Sequence, residues 1–236
     1  MRQQLIVAAQ RAVSGEFDTL AGRGDWFPGS SLNPKWSIYQ GTTSVDVTVD
    51  DGEATVEIPA GGVGGQLWYQ DSRGPLIYQL IAGNCEMVAT MRVQNASGSG
   101  TPPLSMFRLA GIAAHDPSRT LLNYVHAALG STNQATLRCE HKSTVDSVSE
   151  PAGGISPGYT SIAWPSGEGQ IRILRVGQLF TISVRAARGD AWTDVAAVDR
   201  TPAPLPTTLQ WGMMVYSSES THDVRGVFER IDFRTP

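Results

Sequence analysis

A histidine beside an aspartate suits a general base or a metal site, and the sequence has two such pairs, His115-Asp116 and His222-Asp223. Adjacent residues on a strand point to opposite faces, so inside a strand the two members of a pair cannot meet. Both pairs therefore read as loop residues, and His126 and His141 read as strand-surface or core residues ahead of metal ligands. Hydrolysis of a glycosidic bond needs two carboxyl groups flanking one bond. The acids here stand mostly at turns (Asp50, Asp51, Glu53, Asp71, Asp116, Asp190, Asp199), where such groups meet solvent or cap local backbone donors. Cys85 and Cys139 have no metal-ligand spacing and form no C-x-x-C. They read as two reduced, partly buried thiols, and they could pair only if their strands were neighbours. Arg23-Gly24-Asp25 and Arg188-Gly189-Asp190 spell an integrin tripeptide, but Gly-Asp is ordinary turn chemistry. Asn95-Ala96-Ser97 is a glycosylation sequon.

The chemistry that the aromatic residues offer is stacking. The apolar face of a sugar ring packs on an exposed indole or phenol ring. Trp68 and Tyr69 follow the glycine-rich run Gly61-Gly62-Val63-Gly64-Gly65, and Tyr159 and Trp164 lie in a long stretch rich in proline and glycine. Those four are the candidate residues for binding a glycan or a partner. Trp36, Trp192 and Trp211 are expected in the core.

The elements that must carry these residues are strands. Val45, Val47 and Val49 alternate with Asp46 and Thr48, Asp51-Gly52 makes a turn, and Ala54, Val56 and Ile58 alternate with Thr55 and Glu57. An Asp-Gly pair between two alternating runs is a hairpin signal, because the tight turn needs positive φ. Met87, Ala89, Met91 and Val93 repeat the alternation, as do Phe180, Ile182, Val184 and Ala186 against Thr181, Ser183 and Arg185. About a dozen such segments, with turns between them and no βαβ pattern, predict an all-β sandwich or barrel. Only residues 2–13 have helical periodicity, with Leu5, Ile6, Ala9, Ala12 and Val13 on one face. The expected division is an N-terminal arm over residues 1–29, a short helix and linker, followed by one sandwich domain over residues 30–236.

Composition narrows the partners. Charged residues make up 17% of the chain and the formal net charge is −4, with no Lys/Arg block, so nucleic acid is not an expected partner. No apolar run has the length of a membrane span. Residues 1–11 do not read as a secretion signal, and the expectation is synthesis in the cytoplasm.

Several motifs stand in an order that resembles the concanavalin A-like lectin/glucanase superfamily. Leu32-Asn33-Pro34-Lys35-Trp36 is similar to its opening L-D-P-x-W, and Val49-Asp50-Asp51-Gly52 to its first hairpin. Phe107 to Asp116 resembles the q-A-G-L-x-x-r-D strand. Ile171 to Phe180 resembles L-R-I-x-R-x-G-x-x-F, and Gly189-Asp190-Ala191-Trp192 stands where that superfamily carries D-G-x-x-W. Trp211 to Met214 and Val227 to Phe233 are similar to its closing strands. The nearest flavour is the non-catalytic module of β-xylosidases. The resemblance implies a jelly roll of two antiparallel sheets. It also implies that an enzyme would carry an E-x-D-x-E strand, which is absent here. By analogy with members that tie their first and last strands together, Asp18, Asp25 and Asp232 are candidate calcium ligands, with no metal as the alternative.

The expectation is a non-enzymatic structural or adhesive module of a virus particle, most plausibly a phage, in capsid decoration or the tail. Its N-terminal arm would dock on a neighbouring virion protein or on another copy, and its sandwich would face host glycans. The alternative is a stand-alone, cytoplasmic carbohydrate-binding protein or a degenerate relative of glycoside hydrolases.

Overall fold

Apolar residues at every second position bury one face of a strand, and two such sheets can close a core between them. The computed structural model describes residues 20, 22–40, 44–63, 67–69, 73–98, 107–118, 121–132, 137–149, 158–162, 168–218 and 221–236. Within them lie fourteen strands: β1 (Ser37–Tyr39), β2 (Asp46–Asp50), β3 (Glu53–Val63), β4 (Leu76–Ala82), β5 (Cys85–Gln94), β6 (Arg108–His115), β7 (Tyr124–Ser131), β8 (Leu137–Thr144), β9 (Gly158–Ser161), β10 (Glu168–Val176), β11 (Leu179–Arg185), β12 (Thr193–Asp199), β13 (Thr208–Ser217) and β14 (Thr221–Arg234). No helix occurs among the described residues. The helix expected over residues 2–13 lies outside them.

The strands form two seven-stranded sheets. The front sheet runs β1-β4-β13-β6-β7-β8-β9 and the back sheet β12-β11-β10-β5-β14-β3-β2. Every pairing is antiparallel. The predicted hairpin is the β2–β3 turn, where Asp51 and Gly52 have φ of 46° and 91°. Two successive left-handed residues match the twist of the flanking strands.

Register fixes which residues face inward. A Cβ on Gly226 of β14 would meet Ala110 Cβ at 2.6 Å, so Ala110 points at the back sheet. Ile112 and Ala114 share that face, as do their neighbours across the sheet: Val125, Ala127 and Leu129 of β7, and Trp211, Met213 and Val215 of β13. The back sheet answers with Met87, Ala89 and Met91 of β5, Ile171 and Ile173 of β10, and Phe180 and Ile182 of β11. The Phe180 and Trp211 rings stack across the gap, 6.5 Å between centroids.

The chain joins this sandwich ahead of residue 30. Asp25 and Ile231 exchange backbone hydrogen bonds at 2.8 Å, and Phe27 is buried against Trp36. Cys85 and Cys139 are buried and form no disulfide, one in each sheet. No helix among the described residues is long and apolar enough to cross a membrane.

Candidate binding face

The other face of the front sheet is built from the alternate residues: Gly111, Ala113 and His115 of β6, Tyr124, His126 and Ala128 of β7, and Arg138, Glu140 and Lys142 of β8. An outward face of a two-layer sandwich is ordinarily wet. Here it is not: His115, Tyr124, His126, Glu140 and Lys142 are all buried. Part of the cover is the segment 67–69. Leu67 N–H donates to the Ser217 carbonyl at 2.9 Å, which pins the segment to the end of β13. Trp68 follows with φ 52°, a left-handed conformation that is rare for a bulky residue. Its carbonyl accepts hydrogen bonds from Tyr124 Oη–H at 2.7 Å and from Lys142 Nζ at 2.6 Å, and these hold the strained turn in place. The indole itself packs edge-on against Tyr124 and His115, with ring centroids at 5.2 and 6.0 Å.

Under this cover lies a polar cluster. His126 Nε2–H donates to Glu140 Oε1 at 3.0 Å, and Lys142 Nζ stands 3.7 Å from the same carboxylate. The Lys142 ammonium also sits over the rings of Tyr69 and Tyr216, at 5.3 and 5.1 Å. Burial alone would raise the Glu140 pKa, but the Lys142 charge and the His126 bond outweigh it and keep the carboxyl below its usual range. Burial pushes His126 down to about 4 against its bond to Glu140. Burial, aided by the Arg73 charge, pushes His115 down to about 4. Tyr216 and Tyr124 are raised by burial. Burial also lowers the Lys142 pKa, against the pull of the Glu140 carboxylate beside it.

These contacts correct one expectation and sharpen others. Trp68 is fully buried, so it is no stacking platform; it fills the face that a ligand would otherwise reach. Tyr69 lies beside it, partly exposed. Tyr159, 37% exposed, pairs with Glu140 across β8–β9 and lies under the Arg138 guanidinium, 5.8 Å from its ring centroid. The structure thus brings Trp68, Tyr69 and Tyr159 to one face; Trp164 is outside the described residues. Trp36 and Trp211 are buried as expected, but Trp192 is not core. It lies half-exposed on the back sheet beneath the Arg172 and Arg185 guanidiniums, at 4.7 and 4.2 Å.

Sequence reasoning missed the cluster of β7 and β8, because four titratable or aromatic residues at alternate positions look like a solvated strand face. It also missed Gly154-Ile155-Ser156-Pro157-Gly158, which spells the G-x-S-x-G pattern of a serine nucleophile. That elbow needs a strand-to-helix turn; residues 154–157 lie outside the described residues, and Gly158 opens the strand β9.

His115 closes β6 and His222 sits in β14, and both are buried. The Asp116 carboxylate accepts from Ser118 N–H and Oγ–H, and the Asp223 carboxylate accepts from Ser97 and Arg108. Of the calcium candidates, Asp18 is outside the described residues. Asp25 accepts from Trp36 Nε1–H at 2.9 Å and from Phe27 N–H, and lies 3.4 Å from Lys35 Nζ. Asp232 is held by Arg230 at 2.7 Å. Each of the two therefore faces a cation or donors of the chain itself. Among the described residues no group of three or more His, Cys, Asp or Glu is gathered for a metal. The Arg23-Gly24-Asp25 tripeptide is tied down by the same bonds, with Asp25 buried.

Comparison with solved structures places this architecture. A functionally unknown protein from Saccharomyces cerevisiae superposes with a TM-score of 0.61 at 15% identity, over 86% of this chain and 97% of that one. Xylan β-1,4-xylosidase from Bacillus halodurans C-125 gives 0.63 at 12%, over 89% of this chain and 38% of the enzyme. The fold is the concanavalin A-like jelly roll. The CBM2 module of the evolved Dit of Lactobacillus casei BL23 phage J-1 shares this jelly roll with a TM-score of 0.55 at 9% identity, over 89% of this chain and 93% of the module. The chain spans under two fifths of the xylosidase it matches. The sequence matches no protein-family model and no curated protein.

Proposed function

We propose that this jelly roll is a non-catalytic adhesive module that binds glycans at the rim of the outer face of its front sheet, beside the segment 67–69, and that it belongs to a phage virion. The observation that carries the non-catalytic part is the carboxylate count. Glu140 is the one Asp or Glu in the seven strands of the front sheet. Acid-base cleavage of a glycosidic bond needs two carboxyl groups about 5–10 Å apart. Glu140 is also buried in its bonds to Lys142 and His126, where it can neither donate a proton to a leaving group nor attack a sugar. The adhesive part is supported by the aromatic rim, Tyr159 with Arg138 on one side and Tyr39 with Arg73 on the other. The phage setting is supported by the likeness to the CBM2 module of a phage Dit, whose length the chain nearly covers.

The same purified chain tests both parts. On an array of bacterial-surface and plant oligosaccharides it is expected to retain glycans, and Tyr159→Ala is expected to weaken retention. Incubated with xylan or mixed-linkage β-glucan, it is expected to release no reducing sugar. Release that disappears in Glu140→Gln would show an enzyme and overturn the reading. Pull-down of the chain with capsid or tail proteins tests the virion setting, and its failure with glycan binding intact would leave a stand-alone binding protein.

A further inference from the structure

Among the described residues, one arginine on the binding face meets only an aromatic ring. Arg73, half-buried just ahead of β4, places its guanidinium 4.6 Å from the centre of the Tyr39 ring. Among the described residues no carboxylate and no hydrogen-bond acceptor engages it, whereas most of the other arginines of the sandwich are tied to acids or carbonyls, as Arg92, Arg108, Arg200 and Arg230 are. A cation half withdrawn from water and held over an aromatic ring is poised for an anion with planar or tetrahedral oxygens.

The floor beside it is prepared in the same way. Leu80 of β4, Gln210 of β13 and His115 of β6 are in register across the sheet on this outer face. Leu80 is 51% exposed and supplies an apolar surface. Gln210 uses its carbonyl oxygen on His115, 2.8 Å from Nδ1, which leaves its amide N–H groups for another partner. Because Oε1 can only accept, Nδ1 carries the proton and His115 Nε2 is an acceptor. That nitrogen is buried and without a partner, and so is the donor Nε1–H of Trp68 beside it. Buried polar atoms seldom stay unsatisfied. Both of these are closed off from solvent, however, the indole N–H against Gly74, which leaves the Gln210 amide as the polar group of this row that faces a ligand.

We propose that the β1–β4 side of the front sheet binds a saccharide unit bearing an anionic substituent, with Arg73 on the anion, Tyr39 and Leu80 as the apolar surface and the Gln210 amide on a hydroxyl. This inference rests on the glycan-binding reading above and adds to it the charge of the sugar and the residue that selects it.

The test uses the full chain on an array of matched pairs: tetragalacturonate against its methyl ester, sialyllactose against lactose, and mannose 6-phosphate against mannose. The carboxylated and phosphorylated pairs separate the two sources of the anion. The expected result is retention of the charged member of at least one pair. Arg73→Met should weaken it about tenfold or more, Arg73→Lys should weaken it less, and both variants should keep the wild-type melting temperature. Equal retention of charged and neutral members, or binding unaffected by Arg73→Met, overturns this inference and leaves the glycan-binding reading standing. Retention of no sugar overturns both.

Discussion

Two imidazoles and a carboxylate decide how this face responds to acid. His115 and His126 are neutral in the folded protein, with pKa values pushed to about 4 by burial, against an ordinary value of 6.5. Between those values the unfolded chain binds protons that the native rings refuse, so stability rises with pH across that window. No stability is lost above about pH 6.5; the loss grows as pH falls toward 4, where it reaches about 3 kcal/mol for each ring. Urea unfolding at pH 7, 5.5 and 4.5 should show the midpoint falling steadily, and His115→Asn should make the fall shallower. The low-lying Glu140 carboxyl adds a second loss below the usual carboxylate range, because a depressed pKa stabilises the fold only while the group stays ionised. Glu140→Gln keeps an acceptor for His126 but leaves the Lys142 ammonium buried without its counter-charge. We expect it to cost about 3–5 kcal/mol in equilibrium unfolding, and the double variant with Lys142→Met to recover part of that loss.

Strands and turns were legible where one face of a strand is wet. The alternation at Phe180, Ile182 and Val184 named the inward face of β11, and Asp51-Gly52 named the β2–β3 turn. Illegible were β1 and β9, of three and four residues, and β12, whose half-exposed Val195 and Ala196 carry little pattern. The strands β7 and β8 are buried on both faces, so alternation could not tell the core side from the cluster side. Trp68 and Trp192 exchanged expected roles for the same reason: neighbours in sequence do not report what a neighbouring strand or loop lays over a ring. At this scale the prediction concerns the segment 67–69 and β4. Gly74, just before β4, has no Cβ, and one there would run into the Trp68 indole. Gly74→Ala should therefore destabilise the fold, and Trp68→Ala should cost about 3–5 kcal/mol by leaving a cavity. The double variant should cost about 1 kcal/mol or more less than the sum, since the clash vanishes with the indole. Additive costs in urea unfolding would mean that the two positions do not meet.

For the whole molecule, the two cysteines report whether the sheets part together. Cys85 opens β5 in the back sheet and Cys139 lies in β8 of the front sheet, both fully buried. Their side chains belong to the same core as Met87, Trp211 and Phe233, so neither thiol can reach solvent until that core opens. Burial also pushes the Cys139 thiol up to about 12, which leaves almost no thiolate in the native state. A back sheet that opened alone would release Cys85 and leave Cys139 protected. The layers share their buried face, however, with Phe180 stacked on Trp211 and Gly226 closed against Ala110. Separating them would expose the core of both at once. Labelling with a thiol reagent in native buffer should therefore modify Cys85→Ser and Cys139→Ser variants at rates that imply equal opening free energies, once each is corrected for its own unfolding stability. Added urea should raise both rates in parallel with global unfolding. A Cys85 that reacts faster by tenfold or more, with a weaker urea dependence than Cys139, would show that one sheet opens while the other holds.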